Sequence, residues 1–125
     1  MASSGKIVHL ELPAKDADRA QRFYSQLFGW EKMSEFDMGA MGMYVIFGRN
    51  GTQMGGMFNK SPEMTFPSNW LYYIKVDDVD KAVERVKANG GRVINGPMDV
   101  PGGDRIAQIT DPQGGTSAVH AVKKA

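Results

Sequence analysis

The sequence predicts an α+β domain in which one βαβββ unit occurs twice in tandem. Three observations predict it. Sliding the chain on itself by 62 residues superposes Asp16 on Asp78, Asp18 on Asp80, Ala20 on Ala82, Gly29 on Gly91 and Asp37 on Asp99. Each coincidence falls on a structural punctuation mark: a helix start, a helix face, a helix stop or a strand end. Each half also carries one stretch of helical periodicity and four short strand-like runs separated by Gly, Pro, Asn and Asp.

The first half opens with the apolar run Ile7 to Leu12, a strand. Ala17, Ala20, Phe23, Tyr24, Leu27 and Phe28 then recur at helical spacing. Asp16 can cap the free amides at the start of that helix, and Gly29 can end it in a left-handed conformation. Three strands follow, about Trp30 to Asp37, Met43 to Phe47 and Thr52 to Phe58, with an Asn50-Gly51 hairpin turn between the last two. The second half repeats the order. Its strand spans Trp70 to Val76, and its helix begins after Asp78, carries Val79, Ala82, Val83 and Val86, and stops at Gly90-Gly91. Its closing strands are Arg92 to Ile94, Arg105 to Thr110 and Thr116 to Val122. They are separated by Pro101-Gly102-Gly103-Asp104 and Asp111-Pro112-Gln113-Gly114-Gly115. Residues 59–69, with two prolines and little periodicity, read as a linker between module one (about 6–58) and module two (about 70–122), the whole making one domain over 1–125.

Composition narrows the function classes. A chain of 125 residues is long enough to bury a core of its own. It has no cysteine, which excludes disulfides, thiol nucleophiles and thiolate metal sites and fits a reducing, cytoplasmic compartment. No apolar run reaches the roughly 18 residues of a membrane span, and Met1 to Lys6 lacks a signal-peptide core. Fifteen basic and fourteen acidic side chains are mixed along the chain, so no concentrated basic face awaits nucleic acid.

The segment IVHLELPAKDADRAQRFYSQLFGWE, with its FY...LFGW helix end, together with YYIKVDDVDKAVERVKANGGRV and the hairpin DPQGG, resembles the glyoxalase/bleomycin-resistance/extradiol-dioxygenase (vicinal oxygen chelate) superfamily. The resemblance runs from Lys6 to about Val122. It implies a curved, cup-like mixed sheet with helices packed outside, enclosing a metal, a small molecule or both. It also implies metal ligands on the first and last strand of each module, at positions matching His9, Gly56, Leu71 and Ala118. A catalytic divalent centre needs about three protein ligands and an open position. Leu71 and Ala118 can supply none, so no metal and no other cofactor is expected.

Side chains alternate along a strand. If His9 faces the cup, Ile7 and Glu11 do too, while Val8, Leu10 and Leu12 pack against the helix. The same count turns Leu71, Tyr73 and Lys75 inward, with Met54, Gly56, Phe58, Thr116, Ala118 and His120. The expected ligand-binding set is therefore His9, Glu11, Met54, Phe58, Leu71, Tyr73, Lys75, Ala118 and His120: apolar walls with a small polar focus. Catalytic residues are not assigned. Glu11 and Lys75 fit either a structural ion pair at the rim or a reacting pair, and His9 either a hydrogen-bonded wall residue or a proton relay. Seven methionines between Met33 and Met64 fit core filling or an adaptable apolar wall. Arg105 fits a solvated strand end or an anion contact.

These readings lead to a metal-free, glyoxalase-like small-molecule binding protein. The alternative is a metal-dependent lyase or isomerase of glyoxalase type. Drug sequestration of the bleomycin-resistance kind is the third reading, disfavoured because a cup for a cationic drug should be acidic. A homodimer is expected from the family's habit of pairing and from Trp30 and Trp70, read as lying at sheet ends rather than in the helix-facing core.

Overall fold

The computed structural model describes residues 4–64 and 68–123. Its elements run β1 (Ile7–Ala14), α1 (Ala17–Phe28), β2 (Glu31–Asp37), β3 (Met43–Arg49) and β4 (Thr52–Asn59). They continue with β5 (Leu71–Lys75), α2 (Val79–Ala88), β6 (Arg92–Asp99), β7 (Arg105–Thr110) and β8 (Thr116–Ala121). This is the βαβββ order, twice. The chain divides into two compact units, His9–Trp70 on one side and Leu71–Ala125 with Met1–Val8 on the other.

The boundaries differ from the sequence expectation in two places. Residues 59–64 and 68–69, expected as a linker, and Trp70, expected to open module two, fall in the unit His9–Trp70. The Lys60 amide donates to the Ala14 carbonyl (2.8 Å) and the Met64 amide to Ser61 (2.9 Å), while positions 65–67 of the expected linker lie outside the described residues. At the other end, the start of the chain pairs with β5: the Gly5 amide donates to the Lys75 carbonyl (2.7 Å), and the Lys75 amide to that of Lys6 (2.8 Å).

In the first unit the strands lie in the order β2-β3-β4-β1, with β1 parallel to β4 and the other pairs antiparallel. The β3–β4 hairpin turns on Asn50 and Gly51, at φ 52° and 78°; two consecutive left-handed residues match the strand twist. Asp16 caps α1 by accepting from the Arg19 amide (3.2 Å), and Gly29, at φ 72°, ends it. Leu12, Ala14, Ala17, Val45, Phe47 and Met57 form the core under this helix. The buried face of α1 is narrower than its periodicity suggests. Ala17 and Gln21 are buried, but Phe23 and Leu27 are 56 % and 57 % exposed. Tyr24 takes their place, stacking on Trp30 (5.3 Å), which stacks on Phe47 (5.1 Å), while Trp70 meets Trp30 edge-on (5.9 Å). Trp30 and Trp70 thus pack against the helix-side core, contrary to the expectation that left them at sheet ends. Val8 is corrected too. Burial rises along β1 from its exposed start to Leu12, next to the helix, so Val8 stays 40 % exposed instead of joining the core.

In the second unit the order is β5-β8-β7-β6, with β5 parallel to β8 and the rest antiparallel. Asp78 caps α2 by accepting from the Lys81 amide (3.1 Å). Val79, Val83, Ala107, Val119 and Ala121 form the core beneath it. The expected strand Arg92 to Ile94 extends to Asp99, through Gly96 and Pro97, by register irregularities at Val93/Asn95 and Asn95/Met98. An outer strand tolerates a proline that a central one would not. The repeat read from sequence holds at its punctuation marks: Asp16 and Asp78 are both helix caps, and Asp37 and Asp99 both end their strands. Among the described residues, no helix is long and apolar enough to cross a membrane.

Candidate functional site

The first unit carries a polar cluster on the sheet face turned away from its helix-side core. His9 and Glu11 stand two residues apart on β1 and therefore share a face. Tyr44 starts from β3, with β4 in between. It reaches across because Glu11 pairs with Gly56 on β4 and Gly56 pairs with Ile46 on β3. A side chain at 56 would stand in the path: a Cβ built there collides with the Tyr44 hydroxyl, Cε1 and Cζ. The bare strand position is what lets the ring cross, and Phe58, opposite Tyr44, stacks on it at 6.0 Å and 13°.

The Tyr44 hydroxyl donates to Glu11 Oε2 (2.7 Å) and lies 3.0 Å from His9 Nε2. A phenol has one proton. With that proton directed at Glu11, His9 must carry hydrogen on Nε2 and donate to the phenol oxygen. The result is a directed chain, His9 to Tyr44 to Glu11, all three side chains half-buried. Hydrogen bonds ending on a carboxylate are stronger than neutral ones. Tyr44 was absent from the sequence-derived set. Its signal was indirect: a glycine inside a strand marks a close approach by something else.

Met54 does not join this face. Phe47 pairs with Gly55 and Gly48 with Gln53, so Met54 is the extra residue of a bulge in β4. A bulge breaks the alternation, and Met54 packs against the helix-side core with Phe47 and Met57. Its expected place on the ligand face is corrected accordingly. Phe58 stands opposite Tyr44, on the same face as Gly56.

The second unit presents the corresponding face of β5 and β8. Tyr73 pairs with Ala118 and Lys75 with His120, and Val119 and Ala121 point to the α2 side. Tyr73 and Ala118 are buried, at 5 % and 0 % exposure, whereas Leu71, Lys75 and His120 are half-buried. His120 lies edge-on to Tyr73 (6.5 Å, 88°), and its Nε2 is 2.9 Å from Asp104 Oδ2. Asp104 also accepts from the Lys123 amide (2.7 Å). That backbone bond first, then the His120 contact, hold its carboxyl below the usual carboxylate range against the opposing effect of burial. Asp104 was missed in the sequence because it looks like a turn residue; its second role depends on β8 returning beside it. Arg105 is committed to structure. Its Nε and Nη2 grip the Asp80 carboxylate (2.9 and 3.1 Å) and its Nη1 reaches Asp99 (3.0 Å).

The metal that the family resemblance implies does not fit these residues. Gly56, Leu71 and Ala118 have no donor side chain, and the remaining candidate, His9, has its Nε2 engaged by Tyr44. Among the described residues no three His, Asp or Glu side chains gather in a metal-holding group.

Comparison with known proteins agrees with this architecture. "Putative glyoxylase CFP32" of Mycobacterium tuberculosis (strain CDC 1551 / Oshkosh) is 34 % identical over 107 residues, covering 84 % of this chain and 41 % of that protein. "Anthracycline biosynthesis protein DnrV" of Streptomyces peucetius is 32 % identical over 122 residues, covering 87 % of this chain and 44 % of that protein. The chain thus spans less than half the length of these relatives. Among solved structures, methylmalonyl-CoA epimerase from Mycobacterium tuberculosis superposes with a TM-score of 0.72 at 16 % identity, covering 98 % of this chain and 91 % of that one, a likeness of fold. The pattern described as the Glyoxalase/Bleomycin resistance protein/Dioxygenase superfamily matches residues 6–117, and the chain, with its duplicated βαβββ fold, belongs to that superfamily.

Proposed function

We propose that this chain binds a small organic molecule, without a metal, on the sheet face of the first unit where Tyr44 stands between His9 and Glu11. The directed hydrogen-bond chain carries the reading. A half-buried acceptor, donor and phenol already paired with one another can exchange one internal bond for a bond to a ligand hydroxyl or carbonyl, at little added desolvation cost. Phe58, stacked on Tyr44, supplies an apolar wall. In the second unit we assign Leu71, Tyr73, Lys75, Ala118 and His120 to ligand on the same alternation argument. The names of the relatives support a small organic ligand, since one is a glyoxylase by name, one serves anthracycline biosynthesis and a structural neighbour is a coenzyme A thioester epimerase. We further infer a homodimer, the commonest symmetric assembly; light scattering should give twice the 13.7 kDa chain mass.

The test is a thermal-shift screen of small organic acids, ketones and polyketide-like aromatics, run with EDTA and with added divalent metal. Ligand binding to the native state raises the midpoint. The expected hit is insensitive to EDTA and weakened by Tyr44→Phe by about 1–3 kcal/mol, roughly 5- to 150-fold. Hits that need metal, or that bind Tyr44→Phe unchanged, overturn the reading.

A lyase or isomerase is favoured by one observation, the unbroken path for a proton from His9 through Tyr44 to Glu11. Deuterium uptake from solvent into methylmalonyl-CoA, lost in Glu11→Gln, would put this second reading ahead of simple binding.

A further inference from the structure

We propose a second binding site in the first unit, on the helix side of its sheet, that takes a small amphipathic anion: an aromatic or acyl body with one sulfonate, carboxylate or phosphate group. An open groove of about 640 Å³ runs there beside the start of α1, within the range of small-molecule sites. Its apolar surface comes from Leu12, Ala20, Phe23 and Trp70, and Lys15 and Arg19 stand among its lining residues. Two features point to an occupant of this chemistry.

First, of the three large apolar side chains that α1 leaves exposed, Phe23 (56 %), Leu27 (57 %) and Phe28 (52 %), Phe23 is the one that lines the groove. Its ring meets Tyr24 edge-on at 5.2 Å, so one aromatic edge is anchored while the rest faces the groove. A flat apolar body laid there removes water from Phe23 and Trp70 together. Secondly, the charge of the lining is positive. The one carboxylate, Asp16, faces the helix and accepts from the Arg19 amide (3.2 Å). Among the described residues, no carboxylate pairs with the Lys15 ammonium or the Arg19 guanidinium. Two amides at the helix start are also engaged, Ala17 with Asn59 (2.7 Å) and Arg19 with Asp16. An anion is therefore met by the two long cationic side chains, whose reach suits the head group of a ligand whose body lies along the apolar floor.

This site is independent of the Tyr44 cluster, which occupies the opposite face of the same sheet, and its test keeps the two apart. The probe is 8-anilinonaphthalene-1-sulfonate, an aromatic body with one sulfonate, titrated into the full chain and followed by its fluorescence and by quenching of Trp70. Saturable one-to-one binding is expected. It should weaken at least tenfold in Lys15→Glu/Arg19→Glu, whose exposed positions leave folding intact by circular dichroism. It should persist in Tyr44→Phe. N-phenyl-1-naphthylamine, the uncharged counterpart, should bind at least tenfold more weakly. Absence of saturable binding, unchanged affinity in the charge-reversed variant, equal affinity for the uncharged probe or loss of binding in Tyr44→Phe each overturns the proposal.

Discussion

Replacing Gly56 by Ala should unseat Tyr44 from across the sheet. The Cβ that this substitution adds would meet the Tyr44 hydroxyl and ring carbons far inside the ~3.5–4.0 Å at which carbon atoms rest, so the ring must lift off β4. Its hydroxyl then leaves both Glu11 (2.7 Å) and His9 (3.0 Å). The carboxylate bond is worth about 1.5–3 kcal/mol and the other about 1 kcal/mol. Half-burial lets water replace part of each, which brings the loss to about 2 kcal/mol. Alanine in an extended strand recovers about 0.4–1 kcal/mol through the unfolded chain, leaving a net destabilisation of about 1–2 kcal/mol. In the background Tyr44→Ala the three atoms nearest to that Cβ, all from the Tyr44 ring and hydroxyl, are gone. There the same substitution should be neutral or mildly stabilising, so the two changes should couple by at least about 1 kcal/mol. Urea unfolding followed by the fluorescence of Trp30 and Trp70 measures all four corners of the cycle. Equal costs of Gly56→Ala in both backgrounds would show that Tyr44 does not cross at this glycine, and the account of the polar cluster would fall with it.

Other substitutions test the assignment of faces and charges. Val8→Asp should change stability by no more than about 0.5–1 kcal/mol, because Val8 is exposed, whereas Leu12→Ala, at the buried end of the same strand, should cost about 2–4 kcal/mol; denaturant midpoints compare them directly. Asp104 has its folded pKa lowered by the Lys123 amide and His120. Its stabilisation is therefore complete above the ordinary carboxylate pKa of about 3.9 and is lost as pH falls through the folded value, so Asp104→Asn should flatten the acid limb of the stability profile below about pH 4. Arg105 bridges Asp80 and Asp99 at an exposed edge. Arg105→Ala should lower the unfolding midpoint slightly at low ionic strength and hardly at all in about 1 M salt, where the Debye length is ~3 Å.

Much of the architecture was legible in one dimension because its signals are local. Asp16 and Asp78 cap helices through amides three residues away, and Asn50-Gly51 makes its turn with its own backbone, so the duplicated βαβββ order could be read from spacing alone. Alternation likewise placed His9 and Glu11 on one face, and Tyr73, Ala118 and His120 on another, since a strand turns each side chain over in a period of two. The tertiary structure decided whatever depends on a neighbour distant in sequence. Met54 left the ligand face because a bulge against β3 inserts one residue, which no count along β4 alone reveals. Phe23 and Leu27 stayed exposed because Tyr24, Trp30 and Phe47 had already filled the space beneath α1. Tyr44 entered the site because a glycine on the intervening strand leaves its path open, and Asp104 met His120 because β8 returns beside the turn before β7. Periodicity specifies which way a side chain points; only the packing of separate strands specifies what it finds there.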